Sequence, residues 1–381
     1  MRILFTFAGG SGHLEPLVPI ARAAQAAGHT VAFVGRPWMV PKAEALGFQT
    51  FAAGTDRGLA PVRRPLTAPD MAREMADLGQ GFGRRIAGER AADILPLCAA
   101  WRPDLLVCEE VDFGAMVAAE RLGLPHATVL VIAAGGFVRP EFVAPPLNDV
   151  RAAHGLAPDP DLAMLARPLV LSPFPPSLRD PAFPLPPTAH PFRGDSGGDS
   201  APPPWIASLG AAPIVYFTLG TVFPMESGDL FGRVIAGVRG LPVNLVVTVG
   251  RDLDPAELGP QPPNVRVEHY IPQAQILPLC RLVICHAGSG SLMGALSHGL
   301  PMALIPMGAD QPLNAARCEA IGVGCALDPL AVTPAMARET VLEALENPAY
   351  RRAAERVRDE IAALPPAATT IALLERLAEA T

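Results

Sequence analysis

The sequence predicts an α/β protein built from two doubly wound, parallel-sheet domains facing each other across a cleft. Three observations lead there. Short apolar runs of strand type are each followed by a small-residue turn and then by apolar residues at helical spacing. The pattern is interrupted once, between Pro168 and Pro204, where twelve prolines fall. It then restarts, and a chain of 381 residues has room for two domains at roughly 150 residues each.

Taken in order, "RILFTF" reads as a strand and "GGSG" as a turn. "LEPLVPIARAAQAAG" reads as a helix stopped by Gly28, and "HTVAFVG" as the next strand. Strand, helix and strand in that order imply a βαβ unit and a parallel sheet. "PDLLVCEE", "FGAMVAAERLG" and "PHATVLVIAA" repeat the unit, so residues 1–170 form the expected first domain. Residues 171–212, with most of the prolines and "GDSGGDS", are expected to be a linker. Proline fixes φ and lacks a backbone donor, so no regular helix or sheet is expected there. The second domain, 213–360, runs through "PIVYFTLGT", "LFGRVIAGVRG", "VNLVVTVG" and "NVRVEHYIP" to "LVICHAGSGSLMGALSHGLPMALIPMG". Residues 361–381 read as an amphipathic C-terminal helix that can pack back on the first domain.

Half the residues are hydrophobic and the net charge is −7, with lysine almost absent. That balance argues against a nucleic-acid partner, which needs a basic face for phosphates. The six cysteines form no Cys-x-x-Cys pair and several sit inside apolar runs. They read as buried free thiols in a reducing cytosol. No signal-peptide pattern opens the chain and no run of 18 apolar residues occurs, so a soluble, cytoplasmic protein with no transmembrane segment is expected.

In open α/β sheets, ligands bind beyond the carboxyl ends of the strands. The first such turn, "FAGGSGHLEP", is a poor dinucleotide fingerprint, because the third glycine position is Glu15 and no acid follows Gly35–Arg36. What it delivers is His13, beside Gly12, at the start of a helix. The positive end of that helix is expected to lower the His13 pKa and favour the neutral imidazole that a general base requires. "CEEVDF" ends another strand of the same sheet and offers Glu109, Glu110 and Asp112 as the acid orienting that histidine. Asp112 looks most like a cap for the next helix, and the choice among the three stays open. In the second half, His286, Gly288, Ser289, Gly290 and Ser291 open a helix after a strand. Unpaired N–H groups there make a phosphate-binding turn.

These residues resemble a known family. "YIPQ" (270–273), "HAGSGS" (286–291), "HGLP" (298–301) and "ADQPLNA" (309–315) look like the nucleotide-sugar signature of GT-B glycosyltransferases. More narrowly, the chain is similar to the bacterial natural-product branch of family 1. "GGSGHLEPLVPIARAAQAAGH" and "FTLGT" (217–221) match that family's acceptor-domain motif and first donor loop. The likeness is weakest over 56–95 and 135–205, where acceptor pockets vary. It implies His13 as base, Glu109 as its orienting acid, and His286 with Gly288 to Ser291 around the donor diphosphate. It also implies Thr221 near the phosphates, Asp310 and Gln311 on the sugar hydroxyls, and Ile271 and Gln273 beside the nucleotide base. Plant relatives carry a ribose-binding Glu where this chain has Gly294, so a thymidine diphosphate (TDP) donor is at least as well supported as a uridine diphosphate (UDP) one. The expected reaction is inverting transfer of a sugar to a hydroxyl of a small, apolar aglycone. No cofactor and no metal are expected, with the helix dipole and His286 in a metal's place, and monomer and homodimer stay open. Two other readings keep the fold: a cell-wall N-acetylglucosaminyltransferase acting on a lipid-linked acceptor, and a non-catalytic auxiliary homologue.

Overall fold

The computed structural model describes residues 1–55, 62–167, 169–194, 201–221 and 223–380. Pro168, residues 195–200 of the expected linker and the terminal Thr381 lie outside the described residues.

The first sheet contains β1 (Arg2–Thr6), β2 (Thr30–Gly35), β3 (Gln49–Ala52), β4 (Leu105–Glu109), β5 (His126–Val129), β6 (Val170–Ser172) and β7 (Ala189–Pro191). Their order is β3-β2-β1-β4-β5-β6-β7. The second contains β8 (Ile214–Thr218), β9 (Asn244–Thr248), β10 (Val265–Glu268), β11 (Cys280–Cys285), β12 (Met302–Leu304) and β13 (Gly324–Ala326), ordered β10-β9-β8-β11-β12-β13. Every described pairing between these strands is parallel. The central strands are buried along nearly their whole length because helices cover both faces, which is why they read as continuous apolar runs.

Each sheet reverses its strand order once, between β1 and β4 in the first and between β8 and β11 in the second. Neighbouring loops diverge at such a switch point and leave a crevice at the strands' carboxyl ends. His13, Thr221 and His286 lie just beyond β1, β8 and β11, and Glu109 is the last residue of β4.

The proline-rich stretch departs from expectation, since β6 and β7 complete the first sheet inside it. Both strands are three residues long, and β7 is an edge strand ending at Pro191. Proline is tolerated at an edge or a strand end, where no ladder hydrogen bond is lost. The first helix also differs from a single run. A turn at Ser11–Leu14 leads through a 3₁₀ segment, Glu15–Leu17, into Val18–Ala26, with Pro16 and Pro19 each in the first turn of a new segment. Gly28 ends it at φ +86°. Two helices lie where the sequence pattern was weakest: Met71–Trp101, with a π-helical stretch at Gly79–Ile86, and Pro140–Ala153.

Apolar packing is continuous between the halves. Leu130, Ala133, Phe174 and Leu178 share a buried cluster with Ala287, Leu292 and Ala295. Ile371 and Leu374 of the helix Ile371–Glu379 pack into the core of the first sheet, beside Leu17 and Ile20. The chain therefore crosses from one half to the other twice.

Candidate active site

The imidazole of His13 lies flat on the backbone of Gly9. A Cβ at Gly9 would meet its Cδ2 at 2.1 Å, so the turn after β1 requires glycine there. His13 Nδ1 is 3.1 Å from Glu109 Oε1, a charge contact whose hydrogen-bond alignment is poor. Glu109 is fully buried and held at both oxygens. Oε1 accepts from Ala8 N at 3.1 Å and Oε2 from Val111 N at 2.8 Å. Phe82 faces the imidazole with near-parallel rings 6.0 Å apart.

The three acids of "CEEVD" have three separate surroundings. Asp112 caps the helix Phe113–Leu122 through Ala115 N and pairs with the fully buried Arg90. Glu110 Oε2 accepts from Val131 N (2.9 Å) and Ile132 N (3.0 Å). Burial pushes its carboxyl up to about 7, against those N–H groups and Arg179. Glu109 alone of the three reaches His13.

The expected lowering of the His13 pKa is corrected here. Burial does act to lower it, but the Glu109 carboxylate outweighs burial, with Asp310 and Glu110 adding to it, and the pKa is held above the usual histidine value. A full charge at contact distance exceeds the partial charge of a helix end.

Across the crevice, β11 ends at Cys285 and the chain turns through His286 and Ala287, whose φ is +63°. The helix Ser289–Ser297 begins at Gly288 without a side-chain cap. The N–H groups of Ser289, Gly290 and Ser291 accordingly have no partner among the described residues. His286 sits between two glycines. A Cβ at Gly220 would lie 2.6 Å from its Cε1, and one at Gly288 would lie 2.5 Å from its Nε2. Burial pushes its pKa down to about 4, so the ring is neutral, and its buried Nδ1 has no hydrogen-bond partner. Gly290 and Thr221 are exposed and Ser291 is partly so. Gly12 is exposed beside His13, with open space where a side chain would be.

The Ser289 hydroxyl is engaged within the protein. It accepts from Ala133 N of the first domain (3.0 Å) and donates to Asp310 Oδ2 (3.0 Å). Asn314 Nδ2 also donates to Asp310 Oδ2 (2.7 Å), while Asn314 Oδ1 accepts from Ala134 N (3.0 Å). Asn314, fully buried, lies inside the "ADQPLNA" run, and its place one helical turn after Asp310 is the signal that could have found it. Burial raises the Asp310 pKa; bonds from Asn314 and Ser289, and the charge of His13, act to lower it. Gln311 is buried, and its Oε1 accepts from Met307 N at 2.8 Å.

Of the residues expected beside the nucleotide base, Ile271 is 3% exposed and its side chain belongs to the core. The exposed neighbour is Tyr270, with the Arg251 guanidinium 5.8 Å from its ring centre. Gln273 Oε1 lies 2.4 Å from where a Cβ at Gly294 would be, so Gln273 fills the space that the glycine leaves. Two Asp-x-Asp sequences occur, at 159–161 and 252–254, and Asp159 and Asp254 cap 3₁₀ turns. Among the described residues, no three potential metal ligands cluster and no helix is long and apolar enough to cross a membrane.

Comparison with known proteins converges on one family. The family described as Erythromycin biosynthesis protein CIII-like, C-terminal domain, matches residues 233–377. The L-demethylnoviosyl transferase of Streptomyces niveus is 30% identical over 348 residues, covering 86% of this chain and 85% of that protein. Tylactone mycaminosyltransferase of Streptomyces fradiae is 28% identical, covering 99% and 92%. The solved structure of spinosyn rhamnosyltransferase SpnG complexed with thymidine diphosphate aligns with a TM-score of 0.83 at 26% identity, over 98% of this chain and 100% of that one.

Proposed function

Since this chain belongs to the GT-B glycosyltransferases of natural-product biosynthesis, we propose that it transfers a sugar from a TDP donor to a hydroxyl of a small apolar acceptor, with inversion. One observation carries the reading: the His13–Glu109 pair and the uncapped start of the helix Ser289–Ser297 stand at the two switch points facing one crevice. The choice of TDP draws support from the ligand of SpnG and from Gly294, with UDP as the alternative to be tested.

In this reading the diphosphate lies against the N–H groups of Ser289, Gly290 and Ser291. Its negative charge grows as the glycosidic bond breaks, so these donors stabilise the transition state more than the ground state. His286 contributes a neutral ring donor. The sugar hydroxyls meet Asp310 Oδ1 and the free amide nitrogen of Gln311, and the base lies by Tyr270, Ile271 and Gln273. Glu109 faces Nδ1 of His13, which leaves Nε2 to take the acceptor proton. The acceptor oxygen attacks the anomeric carbon opposite the departing diphosphate, which inverts its configuration. The dipole of the Ser289–Ser297 helix takes the place of a metal, and no cofactor is assigned. The buried thiols fit a reducing cytoplasm.

The test is a thermal-shift panel of nucleoside diphosphates, followed by nucleoside diphosphate release from their sugars. Ligand at 100 times its Kd stabilises a fold by about 2.7 kcal/mol, which is readily seen. TDP is expected to shift the melting temperature most. A shift with neither TDP nor UDP would refute the donor site.

A further inference from the structure

We propose that Glu74, which belongs to the acceptor domain, is a positioning residue for the donor sugar. Its carboxylate holds the loop that aims Asp310 and Gln311, so the sugar site is complete only when the two domains are together. The inference rests on the donor-site reading above.

The loop after β12 is under backbone constraint. Ala309 has φ +51°, a conformation costly to any residue with a Cβ, and it immediately precedes Asp310. Its N–H points away from its own domain and donates to Glu74 Oε2 at 3.1 Å. The other carboxylate oxygen lies 3.3 Å from where a Cβ at Gly308 would be, so glycine there allows the close approach. Glu74 is in the first turn of the helix Met71–Leu78, which Asp70 caps through Ala72 N and Arg73 N. Hydrogen bonds from a backbone N–H to a carboxylate are among the stronger ones.

The stretch leading into that helix is fastened to the donor domain independently. Arg64 N donates to Met225 O at 3.0 Å, and Arg64 and Arg63 pair with Glu226 and Glu257. Leu66 packs against the core of the second sheet and approaches Gly228. Residues 63–74 thus touch the loop after β8 and the loop after β12, the two that flank the donor on either side of β11. Unlike the amides of 289–291, Glu74 contacts the loop that carries Asp310 and Gln311 directly, at Ala309 N.

The experiment compares the Kd of TDP with that of TDP-glucose by calorimetry for the intact chain and its variants. Losing one hydrogen bond to a charged group corresponds to roughly ten- to hundred-fold. Glu74→Ala is expected to weaken TDP-glucose by about ten-fold and to leave TDP within about two-fold. Glu74→Gln, whose amide oxygen still accepts from Ala309 N, is expected to stay near wild type. Ala309→Gly placed on Glu74→Ala is expected to restore most of the loss, because glycine adopts the left-handed conformation without help. Equal weakening of both ligands, no weakening, or no recovery with glycine would overturn the proposal. Absence of TDP binding to the wild type would instead remove the donor site itself, and the proposal with it.

Discussion

Replacing Glu110 by glutamine is expected to stabilise the protein, and to do so only at higher pH. Glu110 is 7% exposed and its folded pKa is about 7 against an ordinary 4.5. Between those values the folded state keeps a proton that the unfolded state has lost, so stability is full below pH 4.5 and falls as pH rises through 7. The difference of about 2.5 units, at 1.36 kcal/mol each, amounts to as much as about 3 kcal/mol by pH 8.5. Glutamine carries no charge to bury, and its amide oxygen can still accept from Val131 N and Ile132 N. Urea unfolding of both proteins at pH 5 and pH 8.5 measures the effect. The midpoint gap is expected to open from near zero at pH 5 to roughly 1 M at pH 8.5, for m-values of about 2–3 kcal/mol/M. A gap that is the same at both pH values, or a glutamine variant that is weaker at pH 8.5, would refute the reasoning.

His13→Ala is expected to lower turnover by roughly 10²- to 10⁴-fold while calorimetry finds TDP affinity unchanged. With His13 as the base, turnover is expected to rise with pH as it loses its proton, and Glu109→Gln, by removing the charge that raises that pKa, is expected to move the acid limb of the pH–rate profile to lower pH. Its plateau is expected to fall at the same time, and a limb that stays in place would count against the pair. Gly220→Ala introduces a Cβ 2.6 Å from His286 at a residue with φ +75°. The backbone alone costs about 1–2 kcal/mol of stability, and the clash displaces the His286 ring, so a lower melting temperature together with weaker TDP binding is expected, read by thermal unfolding and calorimetry.

Both sheets were legible because parallel strands buried on two faces must be written as apolar runs, and the helices between them carry the other period. β6 and β7 were not, since three residues among prolines carry no periodicity. Motifs singled out His13, His286 and Asp310, and the structure sets them at the ends of strands around one crevice, because a loop after a strand has few places to put a side chain. What they could not reveal was pairing. Glu109, Glu110 and Asp112 are adjacent in sequence, yet only the loop at 131–132 and the distant Arg90 decide which of them is left for His13. The sign of the His13 shift was missed for the same reason, because Glu109 lies 96 positions away and its distance is a property of the sheet. Nor could the motif show that the Ser289 hydroxyl is taken up by Ala133 and Asp310, which leaves its backbone N–H as the group open to a ligand.

The return of the last helix to the first sheet has a practical consequence for engineering. Its residues Ile371 and Leu374 complete a core built mainly from the opposite end of the chain, and Arg193 and Pro366 run side by side where the two crossings meet. Exchanging donor halves between relatives to redirect sugar choice therefore needs two splice junctions, one near 191–214 and one near 366. A chimera joined only once would set a foreign helix against the first sheet, and is expected to melt at a lower temperature than one joined twice.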